Sequence, residues 1–78
     1  MLRFVNKTSE VWNIIAINFL KDLDFDQSFL YLNKALKYSE VDKEVKAITF
    51  NNFAWYYRNK GQLRVALDYL EKALKIEK

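Results

Sequence analysis

The sequence predicts an all-α fold of four helices, arranged as two antiparallel helix–turn–helix units in a short α-solenoid. Three observations support this prediction. A seven-residue motif recurs at a fixed distance, apolar side chains recur at helical spacing, and the 78 residues include one Gly and no Pro. Because Gly and Pro mark most turns, whereas Leu, Lys, Ala and Glu favour helices, we expect helices only.

The internal repeat has an offset of 38 residues. The motif YLNKALK at positions 31–37 recurs as YLEKALK at 69–75, with six identities in seven residues. The same offset aligns similar residues upstream of the motif. The aligned pairs are Asn13 with Asn51, Ala16 with Ala54, Trp12 with Phe50, and Phe19 with Tyr57. The chain therefore contains two copies of one helical unit.

The first unit is predicted to contain helices at about 9–22 and 24–38. Its first helix carries Trp12, Ile15, Ala16 and Phe19 at the i, i+3, i+4, i+7 spacing of a single helical stripe. Asp24 can cap the second helix, whose apolar stripe continues in the same spacing. That stripe consists of Phe25, Phe29, Leu32, Ala35 and Leu36.

The third helix is predicted at about 40–59 and to be extended at its start. No helix breaker lies near the junction between the two units. Ser39 can act as its N-cap, so Val41 and Val45 are expected to project beyond the repeat edge. A flexible linker is the alternative, which the acidic-then-basic sequence disfavours.

The fourth helix is predicted at about 62–77, after Gly61. This glycine suits the left-handed conformation that ends many helices. The apolar positions that follow repeat the helical spacing and are expected to form the core stripe. They are Leu63, Ala66, Leu67, Leu70, Ala73 and Leu74.

Both units follow a shared order of large, apolar and small residues. The second unit has it at Phe50, Phe53, Ala54, Tyr57, Gly61, Ala66, Leu70 and Ala73, and the first at Trp12, Ile15, Ala16, Phe19, Leu32 and Ala35. This order resembles the tetratricopeptide repeat, a helix pair of about 34 residues. The offset of 38 exceeds that period by four residues, or roughly one helical turn, which the extended start of the third helix would accommodate. The first unit departs from it at Ser28, where Ala is usual, and at Leu23, where Gly is usual. The closing proline is missing from both units, and the RNA-reading pentatricopeptide repeat fits less well.

The predicted organisation is an arm at 1–8, a first repeat at 9–40 and a second repeat at 41–78. The arm is apolar at Leu2, Phe4 and Val5 and could cover one end of the array. Arrays of this kind usually need about three repeats and polar outer faces for stability. The second repeat has no following helix, so its outer face is expected to associate with a partner.

Composition argues against an enzyme. Without Cys or His, the chain cannot form a disulfide, a His-based triad or a Cys/His zinc site. Asp22, Asp24 and Asp26 resemble a calcium loop in spacing, but the glycine and the closing Glu are missing, so helix capping explains them better. We therefore expect no catalytic residues, no metal and no cofactor.

Charge and hydropathy limit the partners. The net charge of +3 is interspersed along the chain, which disfavours nucleic acid as a partner. The most apolar stretch, residues 11–20, is half the length that a bilayer requires. We expect an intracellular, cytoplasmic protein that binds neither nucleic acid nor membrane.

The resemblance implies a concave surface, lined by the first helix of each pair, that binds partner peptides. On this surface we expect Asn13, Ile17, Asn51, Asn52, Trp55 and Arg58 to contact the partner. Amide side chains can pair with an extended backbone, while Trp55 and Ile17 can hold an apolar side chain. Alternatively, Trp55 and Ile17 pack between adjacent helices and the Asn side chains are solvated.

A second apolar stripe on the fourth helix is expected to be the association face. Val65, Tyr69 and Ile76 lie about 220° from the predicted core stripe. The sequence thus predicts a non-catalytic interaction module or assembly scaffold that pairs with a copy of itself or with another protein. The alternatives are a receptor for an extended peptide and, least favoured, an RNA-binding helical repeat.

Overall fold

Over the residues that the structure describes, the protein folds into four helices, as predicted. The computed structural model describes residues 4–39 and 42–77, with side chains for 10–39 and 42–76. The helices are α1 Phe4–Lys21, α2 Phe25–Lys37, α3 Lys43–Asn59 and α4 Leu63–Glu77. Over the described residues the fold class is all-α, consistent with two helix pairs stacked in a short solenoid.

Helix α3 joins the two pairs. Helix α1 packs along α2, and α3 packs along α4, while α3 also contacts both α1 and α2. Within the part of the chain that the structure describes, α4 touches α3 alone. One side of the second pair therefore has no neighbouring helix there, whereas the matching side of the first pair is covered by α3.

The core lies where α3 meets the first pair. Its buried members are Ala16, Leu20, Leu32, Phe53 and Tyr56. The ring of Phe25 lies edge-on to Tyr56 at 5.8 Å, and the ring of Phe29 lies 5.4 Å from it. These contacts bury aromatic and aliphatic surface from both pairs, so the hydrophobic effect holds the pairs together.

The two inter-helix turns are built alike. After α1, the backbone N–H of Asp24 donates to the Phe19 carbonyl at 2.9 Å, and after α3 the Gln62 N–H donates to the Tyr57 carbonyl at 2.9 Å. Each turn contains one residue with positive φ, Leu23 at 60° and Gly61 at 80°. The predicted left-handed stop at Gly61 is confirmed, and Leu23 adopts the same conformation despite its side chain.

The start of α3 differs from the prediction. The N-cap is Asp42, whose carboxylate accepts hydrogen bonds from the Glu44 N–H at 2.9 Å and the Val45 N–H at 3.3 Å. Ser39 is instead buried in the preceding turn, where its Oγ donates to the Leu36 carbonyl at 2.9 Å. The helix therefore begins at Lys43, because an aspartate adjacent to its first turn is the better-placed cap.

Other predicted boundaries also shift. Asp24 caps α2 as expected and accepts from the Gln27 N–H at 3.2 Å. Part of the predicted arm belongs to α1, which begins at Phe4, while Leu2 lies outside the described residues. Val45 is buried rather than projecting from the repeat edge, and Val41 also lies outside the described residues.

Candidate interaction surfaces

A groove of about 400 Å³ runs between α1 and α3. It is lined by Glu10, Asn13, Ile14, Ile17, Asn18, Lys21, Ile48 and Asn52. Ile14 and Ile48 are exposed, which makes the groove largely apolar at its mouth. Glu10 and Lys21 add charges of opposite sign toward the two ends of its α1 wall. This arrangement could hold an apolar segment between polar ends.

Asn13 forms part of the junction between the repeats. The side chain is buried, its Nδ2 donates to Thr49 Oγ1 at 2.9 Å, and its Oδ1 accepts from Asn52 Nδ2 at 2.9 Å. Thr49 Oγ1 in turn donates to the Val45 carbonyl at 2.9 Å. The amide of Asn13 thus bridges α1 and α3, and its contact with a partner peptide stays a prediction.

A second cleft, of about 250 Å³, lies between α3 and α4. We call it the C-terminal cleft; it is lined by Asn51, Ala54, Trp55, Arg58, Ala66 and Leu70. Asn51 and Arg58 are exposed and Trp55 is half-buried. The six residues predicted on one concave surface are thus divided: Asn13, Ile17 and Asn52 line the first groove, and Asn51, Trp55 and Arg58 line the C-terminal cleft.

Tyr69 packs inside the second repeat. Its ring stacks on Phe53 at 5.0 Å and on Tyr57 at 5.6 Å, and lies 5.7 Å from Phe50. The expectation that Tyr69 lies off the intramolecular core is therefore wrong, while the predicted association at Val65, Tyr69 and Ile76 stays a prediction. The aromatic rings of α3 reach Tyr69 because α4 turns this stripe toward its own pair.

The same arrangement occurs in the first repeat. Tyr31 stacks between Trp12 at 5.5 Å and Phe19 at 5.7 Å. Tyr31 aligns with Tyr69 at the offset of 38, so this tyrosine position packs within its own helix pair in both units. Val65 and Ile76, the other residues of the predicted association face, are half-buried.

The aromatic cluster also changes the acidity of Tyr57. Burial raises the pKa of the Tyr57 phenol above its ordinary value of 10.0, and the neighbouring hydroxyls of Tyr69 and Tyr56 raise it further. Removing a phenol from water disfavours the charged phenolate, and nearby phenolates would repel it. The group therefore stays neutral at physiological pH.

The apolar surface that α4 leaves open consists of leucines. Leu63, Leu67, Leu70 and Leu74 are between 42% and 65% exposed. Their spacing of four, three and four residues places them on one face of α4. Sequence reasoning placed them in the core, because periodicity alone carries no signal that separates the leucines from the Tyr69 stripe on the same helix.

The described residues contain neither a metal-ligand cluster nor a helix able to span a membrane. Within 4–39 and 42–77, no His, Cys, Asp or Glu residues form a group of three that could hold a metal ion. No helix within these ranges combines the length and apolar character needed to cross a bilayer. The prominent surfaces are thus the α1–α3 groove, the C-terminal cleft and the leucine face.

Comparison with known proteins agrees with this geometry. A tetratricopeptide repeat family model matches residues 7–78, which is nearly the whole chain. No curated protein and no solved structure shows a significant match. The family is generally one of protein–protein interaction modules. Two stacked helix pairs, a left-handed stop in each turn and a match across both units together place this chain in the tetratricopeptide repeat family.

Proposed function

We propose that this chain is a non-catalytic interaction module that binds another polypeptide through the open side of its second repeat. This C-terminal face comprises the C-terminal cleft and the leucine face of α4. One observation carries the proposal: every position on this face aligns, at the offset of 38, with a position in the first repeat. There, α3 packs against the corresponding helices.

The leucine face shows the correspondence most directly. Leu70 is 42% exposed, whereas Leu32, with which it aligns, is fully buried. Leu63 and Leu67 align with Phe25 and Phe29, whose rings contact Tyr56 of α3. Phe29 is still 39% exposed, so the contrast is strongest at Leu70, whose counterpart Leu32 is fully covered.

Covering the leucine face would release substantial free energy. Complete burial of one Leu side chain contributes about 1.5–3 kcal/mol. Four leucines on one helical face form an apolar surface of the kind against which an amphipathic helix docks its own apolar face. Part of this gain offsets the entropy lost on association, and the remainder favours a docked partner.

A peptide with the sequence of α3 is a direct probe of this face, because α3 occupies the corresponding place in the first repeat. We suggest residues 42–60 with Phe50→Gln and Tyr57→Gln, since these two rings face α4 within the chain. Fluorescence anisotropy of the labelled peptide should show saturable binding to the full chain. Leu67→Glu in the chain should weaken binding at least about tenfold, because it would bury a charge.

The matched control is Ile14→Glu, which places the same charge at an exposed apolar residue of the other groove. This variant should bind the peptide as well as the unaltered chain does. Circular dichroism should show equal helicity for both variants. Absence of saturable binding, or equal loss of binding in both variants, would contradict the proposal.

A second candidate function is the capture of an extended peptide in the α1–α3 groove. The exposed side chains of Ile14 and Ile48 favour it, together with the neighbouring Asn18 at the groove wall. Amide shifts of α1 on titration with apolar peptides provide the test. Shifts that disappear in Ile14→Lys but persist in Leu67→Glu would assign binding to this groove, whereas unchanged shifts across the peptide panel would contradict it.

A further inference from the structure

The C-terminal cleft has an occupied counterpart within the same chain, and that counterpart indicates the chemistry of its partner. At the offset of 38, Asn51 corresponds to Asn13 and Arg58 to Leu20. Both first-repeat residues are at least 96% buried, in the region where α3 packs. An inference drawn from this comparison rests on the proposed function, since it concerns what docks on the C-terminal face.

The contacts between α1 and α3 indicate the direction that a helix docked in the C-terminal cleft would have. Asn13, in the middle of α1, bonds to Thr49. Tyr56, two turns later in α3, lies against Phe25, which follows the end of α1. Helices α1 and α3 therefore run parallel. A helix that occupies the C-terminal cleft in the same manner runs parallel to α3.

The amide of Asn51 requires a polar partner when it is covered. In the first repeat, the equivalent Asn13 bonds to the Thr49 hydroxyl and the Asn52 amide of the covering helix. An apolar helix would leave the buried amide of Asn51 without hydrogen bonds, at a cost comparable to a lost hydrogen bond. A hydroxyl at the position equivalent to Thr49 accepts a hydrogen bond from Nδ2 and removes that part of the cost.

Arg58 adds a charge requirement. Its counterpart Leu20 belongs to the buried core cluster together with Tyr56 of the covering helix. A guanidinium at that position must stay hydrated or form an ion pair with a carboxylate, because an unpaired buried charge is strongly unfavourable. A Glu at the position equivalent to Tyr56, seven residues after the hydroxyl, would lie beside Arg58.

We propose that the C-terminal cleft receives an amphipathic helix of another protein, parallel to α3, with Ser or Thr opposite Asn51 and Asp or Glu seven residues later opposite Arg58. A second copy of this chain fits less well. At the offset of 38, its α1 would present Val11 in place of Thr49 and Asn18 in place of Tyr56. It would therefore supply neither the hydroxyl nor the carboxylate.

The peptide of residues 42–60 described above tests the charge requirement. Its Tyr56→Glu form should bind the full chain about threefold more tightly than its Tyr56→Gln form, as expected for a partly exposed ion pair. The difference should shrink as salt is raised. It should vanish on the Arg58→Gln chain, which keeps a polar side chain of similar length without the charge.

The hydroxyl requirement has its own pair of variants. Thr49→Val in the peptide should weaken binding to the unaltered chain about fivefold, and should have little effect on the Asn51→Leu chain. Equal binding of the Glu and Gln peptides, with the Leu67→Glu effect intact, would overturn this inference and leave the proposed function standing. Dimerisation of the full chain that Leu67→Glu abolishes in sedimentation velocity would overturn it in favour of a second copy.

Discussion

Two serines among the described side chains are fully buried, and they differ in what their hydroxyl groups contact. Ser39 Oγ donates to the Leu36 carbonyl at 2.9 Å, whereas Ser28 Oγ has no hydrogen-bond partner among the described residues. Ser28 also stands where the family uses Ala, and its counterpart in the second repeat is Ala66. A buried hydroxyl without a partner costs free energy that an alanine avoids.

Ser28→Ala should therefore stabilise the protein. We expect the free energy of unfolding to rise by about 1 kcal/mol, because the unpaired hydroxyl is removed and Ala favours the helix. Ser39→Ala is the matched control and should lower it by about 1 kcal/mol, since a satisfied hydrogen bond is lost. Urea denaturation followed by circular dichroism measures both. A loss of stability in Ser28→Ala would mean that its hydroxyl is satisfied in solution.

Tyr57 should make stability sensitive to alkaline pH. Its folded-state pKa is raised above the unfolded value of 10.0, so the unfolded chain loses this proton first. The resulting contribution to stability is complete below pH 10 and declines as pH rises through the folded-state pKa. The urea midpoint should fall above pH 10, and it should fall less steeply in Tyr57→Phe.

The exposed Tyr38 provides a control for this pH dependence. Tyr38→Phe should keep the pH profile of the unaltered chain, because its ring lies outside the Tyr57 cluster. Identical slopes above pH 10 for Tyr57→Phe and the unaltered chain would show that Tyr57 does not contribute.

At the scale of the helices, the two turns have the same backbone conformation but different residues at the position of positive φ. Leu23 has φ of 60° and is 61% exposed, whereas Gly61 has φ of 80° with open space where a Cβ would lie. The left-handed region is unfavourable for a residue with a Cβ and tolerated by Gly. The strain at Leu23 is thus confined to the backbone, with little burial to compensate for it.

Leu23→Gly should stabilise the chain by about 0.5–1 kcal/mol, because the relief of strain exceeds the added entropy of the unfolded state. The reciprocal change, Gly61→Leu, should destabilise it by about 1–2 kcal/mol. Thermal denaturation of the two variants measures the difference. If Leu23→Gly lowered the midpoint, the exposed Leu23 side chain would have to make a stabilising contact of its own.

At the scale of the whole molecule, the free energy of local opening should decline from α3 toward α4. Helix α3 packs against all three other helices, while α4 packs against α3 alone within the described residues. Fewer buried contacts on one side allow local opening at lower free energy. Amide hydrogen exchange should thus be slowest near Thr49 to Tyr56 and faster in the middle of α4.

Docking at the C-terminal face should reduce this difference. The peptide of residues 42–60 should slow exchange in α4 more than in α1, because a ligand that binds the folded state stabilises it by mass action. NMR exchange rates with and without peptide provide the measurement. Equal protection of α3 and α4 in the free chain would contradict the gradient.

The sequence by itself determined the number of helices, their pairing and the repeat. The spacing of apolar residues and the offset of 38 are local patterns, so they do not depend on how the pairs meet. The stop at Gly61 and the cap at Asp24 were equally predictable, since capping acts within a few residues. The start of α3 was not, because Ser39 and Asp42 are both suitable caps.

Only the tertiary structure decided which face of α4 is open. The helix carries two apolar stripes, one with Tyr69 and one with the leucines, and periodicity ranks neither as the inner one. The rings of Phe50, Phe53 and Tyr57 select Tyr69, so the leucines face outward. In the same way, Asn13 and Asn51 occupy equivalent positions, yet one is buried and the other is exposed, because burial depends on whether a further helix packs against that position.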